Sequence, residues 1–319
     1  LLLNQPRSFG KHAAGIVITA DRNSQGEKTP TNDLIPLRID QGINITEWEK
    51  DILEANGFLK LDLLGLSQLD KIMEISNLIK QNKDIDIDIL QTPLDDNKTF
   101  ALFQKGLNED VFQFGAMGLK EYCKKLKPDS IHDLIAAVAL YRPGAMGSKS
   151  HLRYVDIKHG AEEPKFYRGA EQILASTYSV MIYQEQVMKI CTDLAGFSLQ
   201  EADDIRKAIS KKDLNLLHGF KNKFFENIIE ISQYTHQEAE DLWKDIEYFG
   251  EYSFNRSHAV CYATTGYYTQ YLKAHYPIEF YTVALGHGDE YSLNNIVGEI
   301  KLNADLILKQ PDINKSSSS

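Results

Sequence analysis

The chain has 319 residues, 43% of them hydrophobic and 25% charged, which suits a soluble globular protein of more than one domain and excludes a disordered chain. A net charge of −10 excludes a uniformly basic surface, and the longest apolar run, residues 134–141, is far short of the ~20 residues of a membrane span. Three widely spaced cysteines, Cys123, Cys191 and Cys261, form no CxxC pair, which argues against a zinc site or a disulfide framework and fits a reducing cytoplasm. Residues 1–9 carry no signal sequence and no initiating methionine and are read as a cut end. The β-branched run at 14–19 predicts a strand, a Gly/Asn/Pro/Thr-rich loop follows, and 33–39 and 57–64 predict further strands. From Ser67 onward the texture is helical: Leu69, Ile72, Ile75 and Ile79 keep helical spacing, and residues 95–100 predict another helix start. The acidic stretch at 84–88 lacks the glycine and distal glutamate of a calcium loop and predicts a solvated strand. Ser198 with Glu201, and Thr235 with Glu238, have the spacing of capping boxes. The run at 315–319 is low-complexity and is set aside. The fold class expected is α+β: a small, mixed β-rich part, then a large, mainly α-helical one, with the boundary near Gly65.

Within Phe58-Leu-Lys-Leu-Asp-Leu-Leu64, alternation places Lys60 and Asp62 on one strand face and Leu59, Leu61 and Leu63 on the other, where a core would back them. A carboxylate on a rigid strand suits a hard cation such as Mg²⁺, and a neighbouring lysine suits the phosphates bound to that cation. The same pattern also fits a solvated ion pair on an edge strand. Arg142 precedes Pro143, so its backbone is expected to be extended and its guanidinium able to fork two phosphate oxygens. Tyr183 offers a ring for stacking on a sugar or base, or for a core.

Arg206, Lys207, Lys211 and Lys212 gather cations within one stretch of an acidic chain, where they would clamp phosphates without reading sequence. Arg256 and His258, read as phosphate contacts, open a helix rich in tyrosine, on which positions 264, 268, 271 and 275 share one face that should be partly core. His12, beside the Ala13-Ala14-Gly15 segment, is read as a structural hydrogen-bonding histidine.

A series of motifs, in order, resembles the bacterial DNA polymerase III alpha subunit family. They are Lys11-His-Ala-Ala-Gly-Ile-Val-Ile18, Leu59-Lys-Leu-Asp-Leu-Leu-Gly-Leu66, Val111-Phe-Gln-Phe114, Ala139-Leu-Tyr-Arg-Pro-Gly144, Tyr183-Gln-Glu-Gln-Val-Met188, Leu194-Ala-Gly-Phe-Ser-Leu-Gln-Glu-Ala-Asp203, Phe254-Asn-Arg-Ser-His-Ala-Val-Cys-Tyr-Ala263 and Lys273-Ala-His-Tyr-Pro-Ile-Glu-Phe280. The resemblance runs from about residue 8 to about residue 285 and is closer to the replicative enzyme than to its error-prone relative. It implies a palm remnant at 1–66 and fingers at 67–310; composition leaves 311–319 as a disordered or artefactual tail. It also implies template-directed DNA polymerisation from deoxynucleoside triphosphates by two-Mg²⁺ chemistry. Asp62 would be the third metal-binding aspartate; the other two, in an Asp-x-Asp motif, are expected before Leu1.

Lys60, Arg142 and Tyr183 match positions of the family's incoming-nucleotide pocket. The implied partners are primer-template DNA, a sliding clamp, a proofreading subunit and a clamp loader. Three departures from the family pattern stand out: Gly115 where an acid is usual, Arg256 for the commoner lysine, and Ala145 for the proline usual after Arg-Pro-Gly. The competing expectation is a non-catalytic helical scaffold that binds nucleic acid or a partner subunit.

Overall fold

A computed structural model describes residues 10–12, 14–19, 26–63, 65–211, 213–250, 253–302, 306–310 and 312, apart from the side chains at 210, 211 and 214. Two compact units divide the chain, Leu1–Asp70 and Lys71–Ser319. The fold is α+β, with small two-stranded sheets followed by a mainly helical body.

In the first unit, β1 (Gly15–Ile18), α1 (Thr31–Leu34), β2 (Leu37–Asp40), β3 (Ile43–Thr46), α2 (Lys50–Ala55) and β4 (Leu59–Asp62) follow one another. β2 and β3 form a hairpin whose two turn residues, Gln41 and Gly42, both have positive φ (51° and 80°), the type I′ geometry that matches strand twist. The strand expected at 33–39 is shorter than that pattern suggested: 31–34 form a helical turn, with the Ile35 N–H bonded to the Thr31 carbonyl, before the strand begins at Leu37.

β1 and β4 pair antiparallel, Gly15 opposite Asp62 and Ile16 opposite Leu61. The leucine face of β4 was expected against a core, yet Leu59, Leu61 and Leu63 are 57%, 40% and 65% exposed, as are Ile16 and Ile18 across the ladder at 51% and 45%. The alternation is present, but a ribbon of two four-residue strands buries little of either face.

The helical body starts with α3 (Ser67–Lys83), whose first turn contains the division between the units. Then come α4 (Asn97–Lys105), α5 (Met117–Leu126), α6 (Ile131–Leu140), α7 (Pro143–Gly147), α8 (Ser150–Lys158) and α9 (Glu171–Leu174). They are followed by α10 (Gln184–Ala195), α11 (Leu199–Lys211), α12 (Leu214–Ser232), α13 (His236–Gly250), α14 (Arg256–His275), α15 (Pro277–His287) and α16 (Glu290–Ile300). Several ends follow from local chemistry. Asp96 caps α4 by accepting from the Thr99 N–H at 2.7 Å. Both expected capping boxes form: Glu201 accepts from the Ser198 N–H at 3.0 Å, and Glu238 from the Thr235 N–H at 2.8 Å. Residues 84–88 are not the solvated strand expected. Asp84 turns into the left-handed region (φ 56°) after α3, and Asp88 caps a short 3₁₀ turn at Ile89–Gln91.

Three apolar clusters make the body. One joins α4, α5, α6, α8 and α14 around Phe103, Phe114, Tyr154 and Tyr267; a second joins α10 to α13 around Phe224, Trp243 and Phe249; a third packs Ile72, Ile75 and Ile79 of α3 against Phe280 and Ile296. α14 runs through the first cluster with a small-residue face. Ala259, Ala263, Gly266, Tyr267, Gln270 and Ala274 are buried and form most of the core side, and the expected stripe joins it in part. Tyr268 and Tyr271 are only partly buried against it.

Candidate functional site

In the first unit, Lys60 and Asp62 project from the same face of β4 and bond directly, Nζ to Oδ1 at 2.5 Å. The lysine stem lies across Gly15, where a Cβ would sit 2.7 Å from Lys60 Cε and would push the end of the lysine aside. His12 accepts from the Ala14 N–H through Nδ1 at 3.3 Å, and the same nitrogen lies 3.8 Å from Asp62 Oδ1. The Lys60 hydrogen bond, aided by the Lys60 charge, holds the Asp62 carboxyl below the usual carboxylate range. Asp62 is thus an exposed, ionised carboxylate. Among the described residues no group of three His, Cys, Asp or Glu side chains is placed to hold a metal.

In the second unit, three of the expected cationic residues, Arg142, Arg206 and Arg256, gather around one short backbone contact. Tyr183 and Phe254 form a parallel β-bridge, in which the Phe254 N–H donates to the Ile182 carbonyl (3.3 Å) and the Gln184 N–H to the Phe254 carbonyl (2.9 Å). Arg142, extended ahead of Pro143 at φ −144° and ψ 154°, puts its guanidinium carbon 4.0 Å from the Phe254 ring centroid and donates from Nε to the Ala139 carbonyl at 3.1 Å. Arg256, first residue of α14, has its guanidinium carbon 5.4 Å from the Tyr183 centroid. Arg206 donates from Nη1 to Gln184 Oε1 at 3.3 Å, and Gln184 Nε2 donates to Ser253 Oγ at 3.3 Å. The His258 ring stacks on Tyr262, centroids 4.0 Å apart, and meets Phe254 edge-on at 5.3 Å.

The structure also qualifies these roles. Tyr183 is 3% exposed, and burial pushes its phenol well above the ordinary range, so its ring supports Arg256 within the protein instead of offering a free stacking face. Burial lowers the pKa of the Arg142 guanidinium from its usual value. On α11, Arg206 and Lys207 both bond Asp203, at 2.8 Å and 2.7 Å, with Asp204 another 3.7 Å from Lys207. The helix is therefore locally balanced in charge, not a bare cationic face, because Asp203 lies one turn before both cations. Lys212 and the Lys211 side chain lie outside the described residues.

Phe254, Gln184 and Glu185 carry the cluster and were not singled out by sequence reasoning. The signal available was that each lies inside or beside a quoted motif.

Comparison with known proteins agrees with the two-part chain. A model described as "Bacterial DNA polymerase III alpha NTPase domain" matches residues 2–65, and one described as "Bacterial DNA polymerase III alpha subunit finger domain" matches residues 68–232. The chain is similar to the DNA polymerase III subunit alpha of Aquifex aeolicus (42% identical over 313 residues, 97% of this chain and 26% of the relative). It is similar also to those of Bacillus subtilis (38% over 316 residues, 98% and 27%) and Thermus aquaticus (38% over 287 residues, 88% and 22%). It spans about a quarter of the length of these curated relatives. The finger-domain match alone takes in about half of the chain, including Arg142, Tyr183 and Arg206 of the bridged cluster, and on that ground the chain belongs to the bacterial DNA polymerase III alpha subunit finger domain family.

Proposed function

We propose that the chain is the end of the palm (1–66) and the fingers (67–310) of a cytoplasmic, replicative DNA-directed DNA polymerase, which adds deoxynucleoside triphosphates to a primer 3′ end on a DNA template. The gathering of Arg142, Arg206 and Arg256 around the Tyr183–Phe254 bridge carries this reading. Planar guanidinium groups suit phosphate oxygens, and the polyanionic triphosphate and the DNA backbone both call for such a cluster. Arg142 and Arg256 would bind and orient phosphate, Arg206 would support the edge of the cluster through Gln184, and His258 would line it. Lys207, Lys211 and Lys212 belong to the same reading as DNA-phosphate contacts.

The donor chemistry of Asp62 fits one ligand of a hard divalent cation: it is an exposed oxygen held ionised by Lys60. Two Mg²⁺ ions, when bound, would supply activation of the primer hydroxyl and stabilisation of the leaving pyrophosphate. Lys60 would keep Asp62 deprotonated and contribute charge toward the triphosphate. Because two close dications need several carboxylates, this chain by itself is expected not to extend a primer. A sliding clamp, a proofreading subunit and a clamp loader are the partners this reading gives the intact protein.

The test is primer extension by the intact protein carrying Asp62→Asn or Arg142→Ala. The expected result is loss of extension with DNA binding retained for the first, and a raised KM for deoxynucleoside triphosphate for the second. Undiminished extension by the Asp62→Asn protein would remove Asp62 from catalysis and favour the scaffold reading.

A further inference from the structure

Glu185, the second residue of α10, reaches across to the start of α14. Its carboxylate accepts from the Arg256 N–H through both oxygens, at 3.1 Å and 3.0 Å, and from Asn255 Nδ2 at 3.2 Å. Asn255 in turn caps the same helix by accepting from the His258 N–H at 2.8 Å. Two N–H groups of the first turn of α14 are therefore satisfied, one by its own cap and one by a carboxylate from another helix, where the helix dipole favours a negative charge. A phosphate near α14 would not take the Arg256 N–H, because a protein carboxylate already does.

The consequence is positional. Three successive residues at the start of α10 each touch part of the cluster: Tyr183 lies under Arg256, Gln184 bonds Arg206, and Glu185 bonds the backbone of Arg256. Phe254, across the bridge from Tyr183, lies under Arg142. We infer that Glu185 is a positioning residue that sets the separation of Arg142 and Arg256 by tying the first turn of α14 to that of α10, so that the two guanidinium groups meet a nucleoside triphosphate as a pair. The inference rests on the proposed polymerase reading and adds to it a residue that touches no substrate.

The test uses the intact protein and compares Glu185→Ala, Glu185→Gln, Arg142→Ala, Arg256→Ala and the Glu185→Ala/Arg256→Ala double variant in steady-state primer extension. Glu185→Ala is expected to raise KM for deoxynucleoside triphosphate about tenfold with little change in kcat, as loss of a charged hydrogen bond implies. Glu185→Gln, whose amide oxygen still accepts from the Arg256 N–H, should recover most of that loss. The double variant should be no worse than Arg256→Ala alone, because Glu185 acts through that arginine. Should Glu185→Ala fail to fold, Glu185→Asp decides the matter: its shorter carboxylate keeps the charge but loses reach, and KM should rise while the melting temperature holds. An unchanged KM in the folded variant, a parallel fall in kcat without recovery by glutamine, or fully multiplicative effects with Arg256→Ala would overturn the inference while leaving the polymerase reading intact. If Arg142→Ala and Arg256→Ala themselves leave KM unchanged, the polymerase reading of the cluster fails, and this inference with it.

Discussion

The guanidinium of Arg142 rests on the ring of Phe254, carbon to centroid 4.0 Å, and Phe254 is held in place by backbone hydrogen bonds to Ile182 and Gln184. The arginine is thus presented on an aromatic face. Phe254→Ala in the intact protein removes that support. A cation–π contact contributes about 0.5–2 kcal/mol, so on the proposed polymerase reading KM for deoxynucleoside triphosphate should rise by roughly 2- to 30-fold. Phe254→Tyr, which keeps the ring, should stay near the parent value; an alanine variant with parental KM would show that Arg142 needs no platform.

Buried charge gives a second expectation, this one for stability. Lys273 and Glu299 are 2% and 6% exposed and bond at 2.5 Å, the ammonium also donating to the carbonyls of Leu107 and Glu109. The second Glu299 oxygen accepts from the Glu109 N–H at 3.0 Å, so one pair joins α14, α16 and the 107–110 loop. Lys273→Met leaves Glu299 buried without its cation and should cost about 3–5 kcal/mol in chemical denaturation followed by circular dichroism. Lys273→Met/Glu299→Leu should recover much of that loss, and a double variant no better than the single one would assign the cost to packing instead.

At Gly266 two effects oppose one another. Alanine is the better helix former by about 1 kcal/mol, but a Cβ here would lie 2.7 Å from two Phe114 ring carbons and 2.8 Å from the Phe112 carbonyl. The carbonyl belongs to backbone and cannot rotate aside, so crowding wins. Gly266→Ala should destabilise by about 1–3 kcal/mol. A raised melting temperature would show that the 112–114 segment yields.

Acid should loosen the start of α11. The Glu201 pKa is lowered to about 2 by its bonds to Lys223 and to Ser198. A carboxylate whose folded pKa lies below its unfolded value stabilises above the unfolded pKa and loses that effect as pH falls through the folded one. The difference in urea midpoint between parent and Glu201→Gln should therefore be full above about pH 4.5 and shrink toward pH 2. A difference that does not change with pH across that window would count against the ion pair and for a purely steric role.

Much of the architecture was legible because its signals are local. The boxes at Ser198/Glu201 and Thr235/Glu238, the cap at Asp96 and the spacing of Ile72, Ile75 and Ile79 act within one or two helical turns. The hidden part depends on partners distant in the chain. Alternation marks Leu59 and Leu61 as apolar but does not say that a two-stranded ribbon would leave them uncovered, and helical spacing does not say which face of α14 meets α6. The cationic residues could be named one by one from the sequence. That Phe254, Gln184 and Glu185 would join three of them could not, because the bridge that does so is a contact between two loops.

Glu185 and Arg256 are 71 positions apart in sequence, and the second apolar cluster, α10 to α13, lies between them. Contacts of such long separation form late, after the intervening segment has condensed and its loop-closure entropy has been met. The arginine cluster is therefore expected to assemble near the end of folding, whereas the helix caps close early. In a refolding time course, protection by a triphosphate should lag behind the gain of helicity, so phosphate binding would report completed fingers and not merely helical ones.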